Sequence, residues 1–325
     1  LNQIQRAATL RKKMSHFIKP VVVSLDMSRF DQHVHVRQLQ VEHSVYLRSN
    51  PDPYFARLLS WQLKNEVKSN IGFKYTAEGR RMSGDMNTAL GNCIIVLSMV
   101  VGMFENILRI PYDVFDDGDD CLVIVEEEDM TSFMTVTPWY MLQCGHEVKV
   151  ENIAKTLEDV EWCQSKPIFT GVNWKFVRNP FKTMSGALVG TRWLVNNHRM
   201  RREFLAGVAQ CELVLNSGVP ILEEFAKALL RNAGDAVPRF DQTSGEWWRY
   251  VREMKNTGPL GVTDDARASF ARAFNVSIDQ QHDIELQLSK WELDLTHESE
   301  ASTWNPETWI NDQEGAAQFP EGNYT

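Results

Sequence analysis

The 325-residue chain is 43% hydrophobic and 24% charged, with 18 glycines and 12 prolines, which excludes disordered, collagen-like and miniature disulfide-stapled proteins. Its five cysteines, Cys93, Cys121, Cys144, Cys163 and Cys211, form no Cys-x-x-Cys pair, so neither a disulfide framework nor a zinc knuckle is expected and a reducing compartment fits. The formal net charge of −9 conceals blocks: residues 1–81 carry 14 basic and 6 acidic side chains, 82–165 carry 3 and 16, 166–256 carry 14 and 8, and 257–325 carry 3 and 13.

In chain order, a short basic opening leads to Pro20-Val-Val-Val-Ser-Leu25, a β-branched run that reads as a strand buried on both faces and ending on Asp26. Mixed polar and apolar residues from Gln32 to Arg48 and from Pro53 to Val67 predict two helices, broken by Asn50-Pro51-Asp52-Pro53. A short strand is expected over Ile71 to Thr76, then one long, largely buried helix from Ser83 to Ile107. Tyr112 to Phe115 and Cys121 to Val125 read as a hairpin with Gly118 in its acidic turn. Next come a helix from Glu128 to Cys144 stopped by Gly145, a strand from His146 to Val150, a hairpin over Ile168 to Val177, and mostly helices from Phe181 onward. The longest apolar run, Ile94 to Phe104, is about half the roughly 20 residues a bilayer demands, so no membrane-spanning segment is expected.

Three islands carry candidate chemistry. Asp26-Met-Ser-Arg-Phe-Asp31 puts a carboxylate at the end of a buried strand, where a charge must be paired or bind a cation. Gly118-Asp119-Asp120 puts carboxylates on a hairpin turn, and carboxylates from separate strands suit a site where hard cations meet phosphates. Ser83-Gly84-Asp85-Met86-Asn87-Thr88-Ala89-Leu90-Gly91-Asn92 sets a small flexible turn before a helix that carries Thr88 and Asn92 on one face. Basic blocks on both sides of the acidic centre would lead a phosphate backbone past such a site, although solvated faces give the same pattern.

In this order the islands resemble motifs A, C and B of the palm of viral RNA-dependent RNA polymerases, specifically the tombusvirus-like group. Motif D is matched by the helix to Cys144 with His146-Glu-Val-Lys149, and motif E by Glu161-Trp-Cys163-Gln164-Ser. The resemblance implies an α/β (α+β) right-hand fold with an antiparallel palm sheet, partial fingers and a helical thumb. It divides the chain into a fingers remnant at 1–20, palm at 21–35 and 79–180, a fingers insertion at 36–78, and thumb with C-terminal extension at 181–325. It further implies that Asp26, Asp119 and Asp120 hold Mg²⁺, for which Mn²⁺ would substitute, that Asp31, Ser83, Gly84, Thr88 and Asn92 serve the nucleotide and its ribose, and that Lys149 protonates the leaving pyrophosphate. Arg80, Arg81, Cys163 and Gln164 would contact RNA. The implied partners are an RNA template and nascent strand, NTPs and other viral replicase proteins, in the host cytoplasm at membrane-associated replication complexes reached through other regions or partners.

Two departures stand out. Asp117 stands where many relatives have asparagine, and residues 1–19 hold no match to the arginine- and lysine-rich motif F, so with Leu1 in place of Met the fingers are expected to be truncated. The competing readings are a catalytically inactive RNA-binding replicase fragment, a reverse transcriptase, disfavoured because Asp31 stands where an aromatic would be expected, and a two-metal nuclease, which leaves the Ser83 to Asn92 island unexplained. No Walker-type loop supports a helicase. Trp247, Trp248, Trp291, Trp304 and Trp309 are expected in a helical core rather than as base-stacking platforms.

Overall fold

A computed structural model describes residues 1–69, 71–188, 198–238 and 259–295. Two compact units emerge, one of Leu1–Asn179 with Ser269–Asn275, the other of Pro180–Ala268 with Val276–Thr325. The first begins with α1 (Gln3–Met14), set by a reciprocal capping box between Asn2 and Gln5. β1 (Pro20–Met27) follows, then α2 (Phe30–His33), α3 (Val36–Ser49) and α4 (Pro53–Trp61). Asp52 caps α4 through the Phe55 N–H with Pro53 in its first turn.

The helix expected to run to Val67 stops at Trp61, and Lys64–Lys68 is instead strand β2, paired antiparallel with β3 (Lys74–Glu78). The ladder wins because it sets Lys64 opposite Glu78 and supplies backbone partners across a turn in which Gly72 has a φ of 92°. The long buried helix also starts late. Ser83 to Asn87 are a hydrogen-bonded turn, α5 covers Thr88–Met103, and a π-helical turn, Phe104–Leu108, closes with the Arg109 N–H on the Phe104 carbonyl.

β4 (Tyr112–Asp117), β5 (Asp120–Glu126), α6 (Met130–Gln143) and β6 (Val148–Ala154) complete the main sheet, ordered β4-β5-β1-β6 with every pair antiparallel. This is the antiparallel sheet of the expected α+β fold. The strand expected from His146 starts two residues later, because the His146 ring is buried against Phe30 with centroids 4.7 Å apart. β7 (Ser165–Phe169) and β8 (Trp174–Arg178) form the last hairpin.

Strand alternation gives the sheet two different faces. Val21, Val23, Leu25 and Met27 of β1, with Cys121, Val123 and Val125 of β5, pack against Ile95, Val96, Met99 and Val100 of α5 and Phe133 and Met141 of α6. On the other face Val22, Leu122 and Ile124 meet Ala7, Leu10 and Met14 of α1 together with Trp162 and Phe176. Thr88–Leu108, taken with its π turn, is long and apolar enough to cross a membrane by length and composition, beyond what the apolar run alone suggested. Here it is a core helix whose inner side is covered by the sheet.

In the second unit α7 (Pro180–Gly186), α8 (His198–Asn216), α9 (Leu222–Ala233) and α11 (Ile278–Ser289) are helical as expected, and α10 (Asp264–Phe274) is divided between the units. Leu205, Ala209, Phe225 and Leu229 centre its core, where Trp291 stacks on Phe225 at 6.1 Å. Trp247, Trp248, Trp304 and Trp309 lie outside the described residues.

Candidate active site

Asp26 sits on β1 directly opposite Asp120 of β5 on one side and Lys149 of β6 on the other. Facing residues of an antiparallel ladder project to the same side, so all three lie on the face away from α5 and α6. Asp119 is the exposed second residue of the two-residue turn joining Asp117 to Asp120. Gly118, with a φ of 81°, is the residue that gives this turn its hairpin twist. Its N–H donates to the Cys93 Sγ at 3.1 Å, so the acidic turn rests on α5. Trp162 Nε1 donates to the Asp120 carbonyl at 2.9 Å and pins the start of β5.

Burial pushes the Asp120 carboxyl above its ordinary value. A hydrogen bond from Cys163 opposes the shift, and the charges of Asp119, Asp26 and Asp117 add to it. Glu151, on β6 near the same carboxylates, is raised by burial and then by Asp26 and Asp120. Asp117, the departure from the family pattern, turns to Arg6 of α1 at 3.1 Å, and the same guanidinium lies 5.1 Å over the Trp162 ring. Its added charge is therefore countered.

Asp31 ties the first island to the third. Its Oδ1 accepts from Asn92 Nδ2 at 3.0 Å and its Oδ2 accepts from the Ser83 hydroxyl. Behind Asn92 lies a polar network that the sequence did not reveal. Arg81 Nε donates to Asn92 Oδ1 at 2.9 Å, while Arg81 Nη2 pairs with Glu42 of α3. Asn87 Nδ2 donates to Glu42 Oε1 at 2.7 Å, and Gln62 Nε2 reaches Asn87 Oδ1 at 2.8 Å and Asp85 Oδ2 at 3.0 Å. The signal for Glu42 was its place on the apolar side of α3, where Leu39 and His43 are also buried.

Arg81 corrects an expectation. Its side chain is 1% exposed and that of Glu42 is 0% exposed, so it cannot touch template or nucleotide phosphates and instead ties α3 to α5. Arg80 is exposed, on a backbone with a φ of 71°. Thr88 is also diverted: its hydroxyl donates to the carbonyls of Met82 at 3.1 Å and Asp85 at 2.8 Å, which braces the turn rather than reaching Asp31. Gly84 lies in open space, where a Cβ would meet nothing, whereas a Cβ on Gly91 would fall on Glu42 Oε1 and Arg81 Nη2.

Cys163 and Gln164 form a tight turn with φ values of 49° and 56°, closed by the two hydrogen bonds that Trp162 and Ser165 exchange at 2.9 Å. Cys163 Sγ donates to Asp117 Oδ2 at 4.0 Å, and burial followed by the charges of Asp120 and Asp117 pushes its thiol well up. Gln164 is exposed. Asp116, one residue before Asp117, faces the helical side opposite Cys121, where burial pushes its carboxyl up to about 7.

Among the described residues no three His, Cys, Asp or Glu side chains form a ready-made metal cage. The donor set nevertheless fits a hard divalent cation, which is commonly held by one or two carboxylates with water and substrate phosphates completing the shell. A cation there would also relieve the carboxylate repulsion that adds to burial in raising Asp120.

An antiparallel sheet carrying facing carboxylates, a Gly-Asp-Asp turn and an aspartate held by an amide and a hydroxyl is the palm of a right-hand nucleic-acid polymerase. The chain belongs to the viral RNA-dependent RNA polymerase family, whose model matches residues 1–296. It is 36% identical over 305 residues to the RNA-directed RNA polymerase of cucumber necrosis virus, covering 91% of this chain and 36% of that protein. The tomato bushy stunt virus (strain Cherry) RNA-directed RNA polymerase is 36% identical over 308 residues, 92% of this chain and 37% of that one. That of tobacco necrosis virus (strain A) is 32% identical over 306 residues, covering 90% and 41%. The chain thus spans a little over a third of the length of such relatives.

Gly91→Ala should displace the buried Arg81–Glu42 pair and lower stability by about 3–5 kcal/mol, whereas Gly84→Ala should change it by about 0.5 kcal/mol or less. Urea unfolding of the two variants side by side tests this, and equal midpoints would show that the pair yields without strain.

Two buried groups act in opposite senses on acid stability. Burial, helped by the His33 charge, lowers His146 to about 4 from 6.5, so between these values the unfolded chain takes up a proton that the folded one refuses, and stability falls as pH drops. Asp116 is raised to about 7 from 3.8, so the folded chain keeps a proton that the unfolded one releases, and stability falls as pH rises through that window. In metal-free buffer, Asp116→Asn should make the urea midpoint climb more steeply from pH 4.5 to 6.5 than in the parent, and His146→Gln should make it decline. Parallel profiles for all three proteins would exclude both assignments.

Proposed function

We propose that this chain is the catalytic core of a viral replicase that transfers NMP from an NTP to an RNA 3′-hydroxyl under the direction of an RNA template. The observation that carries this reading is the facing register of Asp26, Asp120 and Lys149 on one face of the sheet, with Asp119 on the adjoining turn. Asp26, Asp119 and Asp120 would hold Mg²⁺, or Mn²⁺ in its place, which when bound supplies charge neutralisation at the attacking and leaving oxygens.

The chain's own residues align and select. Asp31, oriented by Asn92 and Ser83, presents a fixed acceptor with an amide beside it, and a 2′-hydroxyl is what such a pair distinguishes from a deoxyribose. Gly118 and the Cys93 contact hold the acidic turn at a set height above α5, which supports a preorganised site. Lys149, exposed on the strand beside Asp26, is suited to give a proton to the departing pyrophosphate. Arg80, Cys163 and Gln164 would meet RNA at the rim of this face. Membrane attachment, in a host cytoplasmic replication complex, would come from other regions or other viral replicase proteins.

Primer extension on a short RNA template is the direct test. Asp119→Ala should lower turnover at least about 10³-fold with the fold intact by circular dichroism; full activity in this variant would remove the carboxylate from the mechanism. Should the parent bind RNA without extending it, the reading as a catalytically inactive RNA-binding replicase fragment takes its place.

Asp31→Ala should relax sugar choice, narrowing the rNTP-to-dNTP preference by about 10-fold or more. An unchanged preference, measured as the ratio of kcat/KM values, would assign Asp31 to scaffolding alone.

A further inference from the structure

One side of α1 is not used by the core. Arg11, Lys12 and Ser15 on that side, with Phe169, Val172 and Trp174 of the β7–β8 hairpin, line a cavity of about 410 Å³. Its cations differ from their neighbours on the same helix. Arg6 pairs with Asp117 at 3.1 Å and Lys13 with Asp113 at 2.5 Å, but Arg11 and Lys12 are exposed and neither forms an ion pair among the described residues. On the facing wall the Phe169 and Trp174 rings stand 5.6 Å apart at 45°, and Trp174 is held in place by packing against the α1-side core. Val172, at the tip, is 76% exposed.

An aromatic platform beside uncompensated cations is the chemistry that binds a single nucleic-acid strand, because any base offers a face for stacking and each phosphate offers a charge. Arg11 adds a planar fork suited to phosphate oxygens. An apolar partner would not call for two exposed cations, and an acidic peptide would not call for the aromatic wall. The cavity is also of the size that takes a small-molecule-sized unit such as one nucleotide. It lies apart from the carboxylates: Arg6 meets the acidic turn, and Arg11 follows about 7–8 Å further along the helix axis.

We propose that the groove between α1 and the β7–β8 turn is an accessory binding site for single-stranded RNA, with a base against Phe169 and Trp174 and phosphates on Arg11 and Lys12. It rests on the reading that this chain handles RNA. Such a site would hold a strand beside the palm, outside the catalytic centre, and so lengthen the residence of RNA on the protein without touching the chemistry.

The test is binding of a fluorescein-labelled, single-stranded oligouridylate to the full chain as salt is varied, in the parent, the Arg11→Ala/Lys12→Ala double variant and Val172→Glu. All three replaced side chains are exposed, so folding should be kept, and circular dichroism checks it. Loss of two phosphate contacts should weaken binding about 10-fold at low salt and make the slope of log K against log salt shallower by about 1.4. Val172→Glu should weaken binding without relieving any core contact. Cross-linking with 5-iodouridine-substituted RNA should mark the peptide containing Phe169 and Trp174. Parent-like affinity and slope in both variants, or cross-links confined to other peptides, would overturn the groove while leaving the polymerase reading in place, since primer extension reads that separately. A parent chain that binds no RNA at all would overturn both.

Discussion

Taking the Arg81 guanidinium and the Glu42 carboxylate out of water costs several kcal/mol per ion, and their attraction offsets this only where the remaining donors and acceptors are also matched. Here they are. Glu42 accepts from both Arg81 and Asn87, and Arg81 also donates to Asn92. The pair draws together α3, the turn at Ser83 to Asn87 and α5, three pieces that share no sheet. Because Asn92 spends its oxygen on Arg81, its amide nitrogen is left to donate to Asp31, which fixes both the direction of that amide and the rotamer of the aspartate. The Asp31–Asn92 pair is thus oriented by a buried charge behind it, an arrangement that suits a site preorganised before a ligand arrives.

The sheet solves a different constraint. Its strands bury one face under α5 and α6 and most of the other under α1, yet must present carboxylates at the ends of β1 and β5, and period-two alternation does both with one sequence. Leu25 and Met27 go inward while Asp26 goes out, and Cys121 goes inward while Asp120 goes out. A slip of one residue in the β1–β5 pairing would drive the carboxylates into the apolar core, so hydrophobic burial itself sets the spacing of the candidate catalytic groups. The shift of register between Ser24 and Leu25 in the β1–β6 pair, just before Asp26, is what brings Lys149 opposite it.

How much of this could be read from the chain follows from the range of the interactions. The hairpin around Gly118 was legible because its chemistry is local: a glycine that allows positive φ, flanked by β-branched runs. Asp26, Asp31, Ser83 and Asn92 were legible because they fall within short ordered motifs. Arg81 was misjudged because nothing beside it shows that its partner is Glu42, 39 residues earlier. Lys64 to Val67 reads as helix because its local pattern permits either structure, and its pairing with Lys74–Glu78 decides for a strand. The missing information in each case was a contact between segments, which single-residue preferences do not contain.

The same limit explains why net charge by block was a poor guide to the site. The basic residues of α1 belong to the block that would seem to attract phosphate, yet Arg6 and Lys13 are occupied with Asp117 and Asp113 of the acidic block. Those two pairs fasten α1 along β4, and they also cancel charge at the edge of the carboxylate cluster, so the field near Asp119 and Asp120 is less negative than the sequence count implies. The α1 cations without an ion pair among the described residues, Arg11 and Lys12, are turned away from the acidic strand toward the β7–β8 hairpin. Charge complementarity inside the molecule therefore decides which cations remain available to a polyanion, and that division becomes visible only once helix and strand are laid side by side.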